Sequence, residues 1–312
     1  MVAHIAYVRF GQKPHCPRCR SRAHLFLRST RRALACSQCS FEVSVTSRTL
    51  FDRSKIPLST WFYLMLTMSN SSQALPVSFV ERHFGLSRMA AFGALSRIRL
   101  HLGALQAGAV LGGRGQILQV DETWVRQVKN PAGEKGYGAI VFGIYSQSGV
   151  ITKVIPDRTS KVLIGELLAH TDPNSVIVTD QLRSYNALGR LGFKHIRLNH
   201  SIGEWVNQDG YSSIGIEGYW GNLKYYLQSA NLAPSIDYFS GYLAEHAFRY
   251  NCRKMGRCAF REMISRFPLI NKIQLPKAVS FSKYDPYLAN GNPLELAELL
   301  KNGADTSCRA GT

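Results

Sequence analysis

The sequence predicts an α/β protein in which a small cysteine-rich module and a helical region precede the main domain. Four cysteines stand in two Cys-x2-Cys pairs within the first 39 residues. The hydrophobic pattern is helical between about residues 58 and 102, and it becomes strand-like near residue 117. Beyond that point strands and helices alternate, as in α/β folds. We therefore divide the chain into residues 1–50, 51–111, 112–265 and a C-terminal extension, 266–312.

The two Cys-x2-Cys pairs predict a structural zinc site. Two tight turns can direct four thiolates toward one ion and leave no coordination position open. Residues 24–34, between the pairs, alternate apolar and polar side chains as a hairpin does, so residues 1–50 are expected to form a zinc ribbon. Two disulfides are the alternative, which the odd total of seven cysteines and the lack of an apolar leader in residues 1–13 disfavour. The predicted ligands are Cys16, Cys19, Cys36 and Cys39.

Positive charge is concentrated in the same part of the chain. Residues 1–60 contain eleven Lys or Arg and two Asp or Glu, a formal charge of +9, which is half of the +18 of the whole chain. Such a surface gains affinity for phosphate backbones by counterion release, although a solvated basic face without a partner is the alternative. We expect double-stranded DNA as the partner. No apolar run reaches the ~18 residues that span a bilayer, so we expect no membrane partner and a cytoplasmic, nucleoid-associated location.

Residues 51–111 predict three helices. An apolar segment covers Leu58–Met68, a short helix covers Val77–Phe84 and ends at Gly85, and Ser87 caps a longer helix that continues through Arg99. Helix, glycine turn and helix is the layout of a helix-turn-helix, although generic three-helix packing gives the same pattern. The apolar positions expected to face the core are Met89, Phe92, Leu95, Ile98 and Leu102. The side chains expected to face outward, toward DNA, are Arg88, Arg97 and Arg99.

The extended segments of residues 112–265 predict a mixed sheet. After a glycine-rich joint, a strand at Ile117–Val120 ends at Asp121, and two further strands complete an antiparallel meander. A helix follows, then a buried strand at Ser175–Thr179 with Asp180 at its tip. Another helix, a strand at His195–Leu198 and a closing helix with Glu217 complete the order. The meander strands are expected at residues 137–145 and 150–155, and the first helix at residues 160–169. This order is that of a ribonuclease-H-like fold.

The closing helix is expected to bury one face and present another. Its predicted buried side chains are Ile216, Trp220, Leu223 and Leu227. Glu217, Gly221 and Lys224 lie on an adjacent face, with the acid and the base two turns apart. Glycines at 218 and 221 are unfavourable inside a helix, so they predict the close approach of another backbone or of DNA.

Four motifs follow the zinc ribbon and the helical region: Val120-Asp121-Glu122-Thr123, Thr179-Asp180, Ile216-Glu217-x-x-Trp220-x-x-x-Lys224 and Phe248-Arg249-Tyr250-Asn251-x-Arg253. Together they resemble the ISXO2-like group of bacterial insertion-sequence transposases of the DDE type. The resemblance runs from about residue 12 to about residue 265. It implies that Asp121, Asp180 and Glu217 are the catalytic acids and that Lys224 is the basic residue that follows them. It also implies binding of the element's ends, DNA cleavage and strand transfer, and at least a dimer on DNA.

In-line phosphodiester chemistry explains the need for three acids. Two divalent ions, Mg2+ or Mn2+, favour carboxylate ligands, and they activate the attacking hydroxyl and neutralise the leaving oxygen. We expect Asp121 to bridge both ions and the other two acids to bind one each, with Lys224 on a phosphate. Arg249 and Arg253 are expected to face DNA. Glu122 is excluded because neighbouring residues of a strand point to opposite faces. Trp124 is a candidate for base stacking, and His195 and His200 are expected to be structural.

Two other functions remain open from the sequence. The family usually has histidine and asparagine just before the isoleucine-glutamate pair, where this chain has Ser212 and Ile214. This departure favours a catalytically inactive, sequence-specific DNA-binding protein. A nuclease or resolvase of the same fold is the second alternative. Beyond residue 266 the resemblance fades, and one short helix is expected at residues 293–300.

Overall fold

The computed structural model describes residues 1–20, 25–126, 128–130, 132, 138–229 and 234–270. The chain forms two compact units: one comprises Met1–Ala107 and the segment that begins at Ala244, and the other contains Gly108–Leu243. The helix predicted at residues 293–300 lies outside the described residues, as does most of the C-terminal extension. No helix of the described part is both long and apolar enough to cross a membrane.

The first unit begins with a small antiparallel sheet. Helix α1 (Val2–Phe10) precedes strands β1 (Leu25–Arg28), β2 (Ala33–Cys36) and β3 (Glu42–Ser44), which lie in the order β1-β2-β3. The hairpin expected between the cysteine pairs is β1–β2, in which Leu25 faces Cys36. Helix α1 was not predicted. It buries Ile5 in the core that the sheet shares with the following helices, so the ribbon is supported by apolar packing as well as by its cysteines.

Three helices follow as the sequence predicts: α2 (Leu58–Asn70), α3 (Val77–Phe84) and α4 (Arg88–Gln106). Gly85 ends α3 in the left-handed conformation with a φ of 62°, and the Ser87 hydroxyl accepts a hydrogen bond from the Ala90 amide at the start of α4. One expected core residue is wrong, because Met89 is 78% exposed. The buried face of α4 begins one half-turn later, at Ala91.

The C-terminal helices α7 (Ile236–Lys254) and α8 (Ala259–Ser265) contribute an ion-paired cluster to the first unit. The guanidinium of Arg99 donates to the Glu245 carboxylate at 2.8 Å, and that carboxylate also lies 3.6 Å from the Arg249 guanidinium. Arg249 also donates to the Gln73 carbonyl at 3.1 Å. All three side chains are at least 92% buried. The expectation that Arg99 and Arg249 face DNA is therefore wrong, since a guanidinium taken out of water needs these partners.

The other three predicted DNA-facing arginines differ in exposure. Arg97 is half-buried and donates to the Asp52 carbonyl at 2.7 Å, which ties α4 to the turn before α2. Arg88 is exposed and lies 3.8 Å from a Glu81 carboxylate oxygen. Arg253 is exposed near the end of α7. Of the five, Arg88 and Arg253 remain accessible to a ligand.

The second unit is built on a five-stranded mixed sheet. Its strands are β4 (Ile117–Val125), β5 (Ala139–Ser146), β6 (Gly149–Ile155), β7 (Val176–Thr179) and β8 (Lys194–Arg197), in the order β6-β5-β4-β7-β8. The predicted meander is confirmed, since β4, β5 and β6 are antiparallel. Strands β7 and β8 are parallel to β4. Helices α5 (Ser160–His170) and α6 (Ile214–Ser229) complete the unit.

Two details of this unit differ from the sequence prediction. Strand β4 continues to Val125, so Asp121 lies in the middle of the strand and not at its end. The helix expected between Asp180 and β8 is a single 3-10 turn, Arg183–Tyr185. The segment then makes successive tight turns that bury Tyr185 and Leu188, and Gly192 adopts a φ of 86°. A glycine in that conformation does not continue a right-handed helix.

A buried histidine makes the first unit sensitive to acid. The Nε2 atom of His101 in α4 lies 2.8 Å from the Met263 carbonyl oxygen in α8. Burial lowers the pKa of His101 to about 4, and the charge of Arg266 acts in the same direction. The ring is therefore neutral in the folded protein, whereas in the unfolded chain it gains a proton near pH 6.5. Its contribution to stability is present above pH 6.5 and is lost as the pH falls toward 4.

We predict that the free energy of unfolding of the first unit falls by about 2 kcal/mol between pH 6.5 and 4.5 on account of this residue. The glutamine of a His101→Gln variant can still donate to the Met263 carbonyl but does not titrate in this range. Its urea midpoint should therefore change less with pH than that of the parent. Parallel pH dependences in the two proteins would contradict the prediction.

Candidate catalytic site and candidate zinc centre

The four predicted zinc ligands lie together at one end of the β1–β2 hairpin. Their sulfur atoms are all within 4.8 Å of one another, with 3.6 Å between Cys16 and Cys39 and 3.7 Å between Cys19 and Cys36. Four sulfurs placed 2.3 Å from a tetrahedral zinc ion would be about 3.8 Å apart. A disulfide needs an S–S distance near 2.05 Å, and these cysteines are free. The cluster is thus a possible zinc site, and the disulfide alternative is not observed.

The first predicted catalytic acid, Asp121, is held by a contact between the sheet and helix α6. Asp121 lies opposite Gly143 in the β4–β5 register. The indole of Trp220 in α6 covers this glycine, and its Nε1 atom donates to Asp121 Oδ2 at 2.8 Å. A Cβ atom on residue 143 would lie 2.5 Å from the Trp220 ring. Because Gly143 has no side chain, the indole can lie against β5 and reach the carboxylate.

A second close contact fixes the start of α6. The Ile216 amide donates to Oε1 of Gln119, which lies two residues before Asp121 in β4, at 2.8 Å. Gly215 fits only as glycine, because a Cβ atom there would lie 2.2 Å from the Tyr145 ring. The hydroxyl of Ser212 accepts a hydrogen bond from the Ile214 amide at 3.0 Å. These contacts place the first turn of α6, which carries Glu217, against β4.

Asp180 reaches the same region from the neighbouring strand. It follows β7, which is hydrogen-bonded to β4 in parallel, and its Oδ1 atom accepts a hydrogen bond from the Leu182 amide at 2.9 Å. Burial raises the pKa of Asp121 to about 6, and the negative charges of Glu217 and Asp180 act in the same direction. The Trp220 hydrogen bond opposes this rise. Asp121 is thus ionised at neutral pH, and the other two acids lie close enough to affect its charge.

The three carboxylates do not form a ready-made ligand cluster. In the part of the chain that the structure describes, the four cysteines are the one group of three or more His, Cys, Asp or Glu whose ligand atoms all lie within 4.8 Å. Asp121, Asp180 and Glu217 are therefore not a group of this kind, although the charges of Glu217 and Asp180 act on Asp121.

The neighbouring acid Glu122 has a different environment. The Tyr185 hydroxyl, in the 3-10 turn after Asp180, donates to its carboxyl group. Burial raises the pKa of Glu122 to about 8, and the charges of Asp121 and Asp180 raise it further, while Arg158 acts in the opposite direction. Glu122 is thus protonated at neutral pH, and it ties β4 to the turn that carries Asp180. The alternation of side chains along a strand excluded Glu122 as a ligand, and no signal in the sequence indicated its contact with Tyr185.

The remaining predicted positions are placed as follows. Lys224 is half-buried in α6, two turns after Glu217. A Cβ atom on Gly218 or Gly221 would meet nothing within 4 Å. The close approach that these glycines predict therefore does not come from the described part of the chain. The predicted buried side chains of α6 are confirmed: Ile216, Trp220, Leu223 and Leu227 are at most 2% exposed.

Three aromatic or imidazole side chains outside this group also have defined contacts. Trp124 is 44% exposed and covers Gly138, where a Cβ atom would lie 2.4 Å from its ring. The Nε2 atom of His195 lies 2.9 Å from the Thr179 hydroxyl, and that of His200 lies 3.0 Å from the Ser213 hydroxyl. Both histidines thus have structural hydrogen bonds, whereas Trp124 keeps an accessible surface.

Both regions match families of known proteins. Residues 111–251 match the ISXO2-like transposase domain, and residues 2–42 match the transposase zinc-ribbon domain. An uncharacterized transposase-like protein from Haemophilus influenzae is 34% identical over 102 residues, which is 33% of this chain and 80% of that protein. The chain belongs to the ISXO2-like transposase family. In this transposase the first match contains Asp121, Asp180, Glu217 and Lys224, and the second contains all four clustered cysteines.

The contact between Trp220 and Gly143 predicts a specific pattern of stability changes in the transposase. Gly143→Ala should lower the free energy of unfolding by about 1–3 kcal/mol, because the new methyl group overlaps a buried indole. Trp220→Phe, which removes part of the ring, should make the same glycine substitution less costly. Gly165→Ala in α5, where a Cβ atom meets nothing within 4 Å, is the matched control and should be neutral or slightly stabilising.

Urea unfolding measures the free energy of unfolding of Gly143→Ala, Trp220→Phe, the double variant that combines these two, and Gly165→Ala. Equal effects of Gly143→Ala with and without Trp220 would contradict the contact.

Proposed function

We propose that this transposase binds the ends of its insertion sequence and catalyses metal-dependent DNA cleavage and strand transfer at Asp121, Asp180 and Glu217. The observation that carries the proposal is the contact of α6 with β4. It brings the Glu217 helix against the Asp121 strand, and the charges of Glu217 and Asp180 both act on the Asp121 carboxylate. The three acids come from three separate elements, and their carboxylate oxygens are the ligands that hard divalent ions prefer.

The order of the strands supports a ribonuclease-H-like fold for the proposed catalytic domain, residues 112–265. Three antiparallel strands are followed by two strands parallel to the first, in the order β6-β5-β4-β7-β8. Asp121 lies on the central strand, and Asp180 follows the strand next to it. The parallel register pairs Gln119 with Val178, so Asp121 and Asp180, each two residues further on, lie at the same level of the two strands. This level is the carboxyl end of β7, and α/β sheets carry their sites at such strand ends.

The roles of the protein groups follow from their positions. Two ions, Mg2+ or Mn2+, would supply Lewis-acid activation of the attacking hydroxyl and stabilise the leaving oxygen. Asp121 would hold both ions, and Asp180 and Glu217 would hold one each. Hydrogen bonds from Trp220 and from the Leu182 amide orient the Asp121 and Asp180 carboxylates. Lys224, two turns beyond Glu217, would contact a phosphate as a point charge.

We assign recognition of double-stranded DNA to the first unit. Its cysteine cluster would hold one structural zinc ion, α3 and α4 have the layout of a helix-turn-helix, and Arg88 at the start of α4 is exposed. Arg253 offers a second accessible guanidinium. Pairing two element ends requires at least two copies of the protein on DNA. The exposed glycine face of α6 leaves room for a DNA backbone beside Glu217.

An inactive DNA-binding protein remains the second candidate, and one observation favours it. Ser212 and Ile214 stand where the family has histidine and asparagine. Ser212 keeps a capping role, because its hydroxyl accepts from the Ile214 amide, but the Ile214 side chain is 58% exposed and has no metal-binding group. A nuclease or resolvase would use the same acids for hydrolysis without strand transfer.

An Asp121→Asn substitution tests the catalytic proposal. The purified protein, DNA carrying the inverted repeats that flank its gene, a supercoiled target plasmid and Mg2+ should give joined products. The asparagine variant should lose this activity by about two orders of magnitude or more, because the amide cannot replace a charged ligand, and it should keep its DNA affinity. Asp172→Asn is the matched control, since Asp172 lies in an exposed turn of the same unit, and it should retain activity.

The products separate the three candidate functions. Cleaved but unjoined DNA would favour a nuclease, and binding without cleavage would favour the inactive protein. Equal joining by the parent and Asp121→Asn would remove Asp121 from the mechanism.

Zinc removal tests the second metal assignment. Treatment with a chelator in Mg2+-free buffer should unfold the ribbon, because four thiolates that lose their ion repel each other, and it should weaken DNA binding. Cys19→Ser should do the same, whereas Cys258→Ser, at an exposed cysteine outside the cluster, should not. Far-UV circular dichroism and one zinc per chain by atomic absorption are the measurements. Unchanged spectra and binding after complete zinc removal would contradict the assignment.

A further inference from the structure

Arginine occupies four of the five non-glycine positions of the described chain at which φ is positive. Five non-glycine residues of the described chain have a positive φ: Arg20 at 57°, Arg32 at 51°, Ser40 at 57°, Arg48 at 58° and Arg53 at 50°. Side chains of L-residues are disfavoured there because the Cβ atom crowds the following carbonyl oxygen, whereas glycine adopts the conformation freely. Asparagine and aspartate are the usual exceptions, and arginine is not. Some property of the arginine side chain must therefore offset the cost.

In the part of the chain that the structure describes, no interaction provides this offset for three of the four arginines. Among the described residues, the guanidinium groups of Arg20, Arg32 and Arg53 make no hydrogen bond or ion pair. Other arginines of the unit do have partners. Arg97 donates to the Asp52 carbonyl, and Arg28 and Arg31 lie 3.1 and 3.3 Å from the Glu42 carboxylate. Arg20 and Arg53 are exposed and Arg32 is half-buried.

The two cysteine turns provide an internal comparison for Arg20. In the first turn the Arg20 amide donates to the Cys16 carbonyl at 2.8 Å, and in the second the Ser40 amide donates to the Cys36 carbonyl at 3.0 Å. Arg20 and Ser40 follow the second cysteine of their pairs and have the same φ. The turns therefore impose the same backbone cost on both residues, and only the first residue carries a charge.

We propose that Arg20, Arg32 and Arg53 contact the sugar-phosphate backbone of DNA, and that this contact is the reason for arginine at left-handed positions. A guanidinium binds a phosphate through two parallel hydrogen bonds. The three residues lie in the segment whose formal charge is +9, which favours a polyanion over a neutral or cationic partner. The inference rests on the proposed binding of DNA. It adds the residues that supply the part of the affinity that does not depend on the DNA sequence.

The test compares Arg20→Gly with Ser40→Gly in the full chain with zinc bound. Both substitutions relieve the left-handed conformation, so both should leave the thermal midpoint unchanged or raise it. Binding of a short fluorescein-labelled duplex of arbitrary sequence is followed by fluorescence anisotropy over a series of salt concentrations. Arg20→Gly should weaken binding several-fold and reduce the slope of log K against log salt by about 0.9, the value for one phosphate contact. Ser40→Gly should change neither quantity.

The possible outcomes separate this inference from the proposed function. Salt-dependent binding by the parent with an unchanged affinity and slope in Arg20→Gly would overturn the inference and leave DNA binding intact. Failure of the parent to bind any duplex would overturn the proposed DNA binding itself. If Arg20→Gly does not fold, Arg20→Gln keeps the backbone cost and removes the charge, and it should show the same loss of slope. Arg20→Lys, which keeps the charge, should recover most of the slope.

Discussion

The seating of helix α6 on strands β4 and β5 is the contact on which the candidate catalytic site depends. Two positions allow it, because Gly143 and Gly215 lack the Cβ atoms that would collide with Trp220 and Tyr145. The helix can then approach until the indole donates to Asp121, 99 residues earlier in the chain. One packing contact thus orients the first acid and positions the helix of the third. A buried carboxylate without that donor would have an even higher pKa and would be a poorer ligand for a cation.

The two acids that are adjacent in β4 show how strongly the surroundings decide chemistry. Asp121 and Glu122 are consecutive, yet they bind different partners, Trp220 and Tyr185. Burial raises both pKa values, to about 6 for Asp121 and to about 8 for Glu122. At neutral pH one is a charged oxygen ligand and the other is a neutral group that ties β4 to the Asp180 turn. A family motif that contains both residues does not distinguish these states.

The first unit depends on buried charge in addition to apolar packing. Glu245 lies between Arg99 and Arg249, and the first of these pairs joins residues 146 positions apart. Removing one member would leave an uncompensated charge out of water, which is far more costly than loss of a surface pair. This cluster places the second half of α7 with the N-terminal helices. It also buries two arginines that the proposed DNA partner can therefore not reach, whereas Arg20 in the ribbon is exposed.

Local signals in the sequence were sufficient for much of the fold. The cysteine spacing predicted the metal-ligand cluster, Gly85 and Ser87 predicted the turn between α3 and α4, and successive extended segments predicted the antiparallel meander. Each of these signals lies within one continuous segment of the sequence, so the whole pattern can be read there. The buried face of α6 was predicted for the same reason, since helical periodicity alone specifies which side chains share a face.

Only the tertiary structure decided which charged groups are buried and what they contact. The sequence does not distinguish an arginine that is exposed in the fold, as Arg88 is, from one that is buried against a carboxylate, as Arg99 is against Glu245. The sequence likewise does not indicate why residue 143 is glycine, because the Trp220 ring packs against it only in the folded chain. Burial, hydrogen-bond partners and pKa values depend on neighbours that are distant in the sequence, 63 residues away for Glu122 and Tyr185 and 146 for Arg99 and Glu245. One sequence without structure does not specify those neighbours.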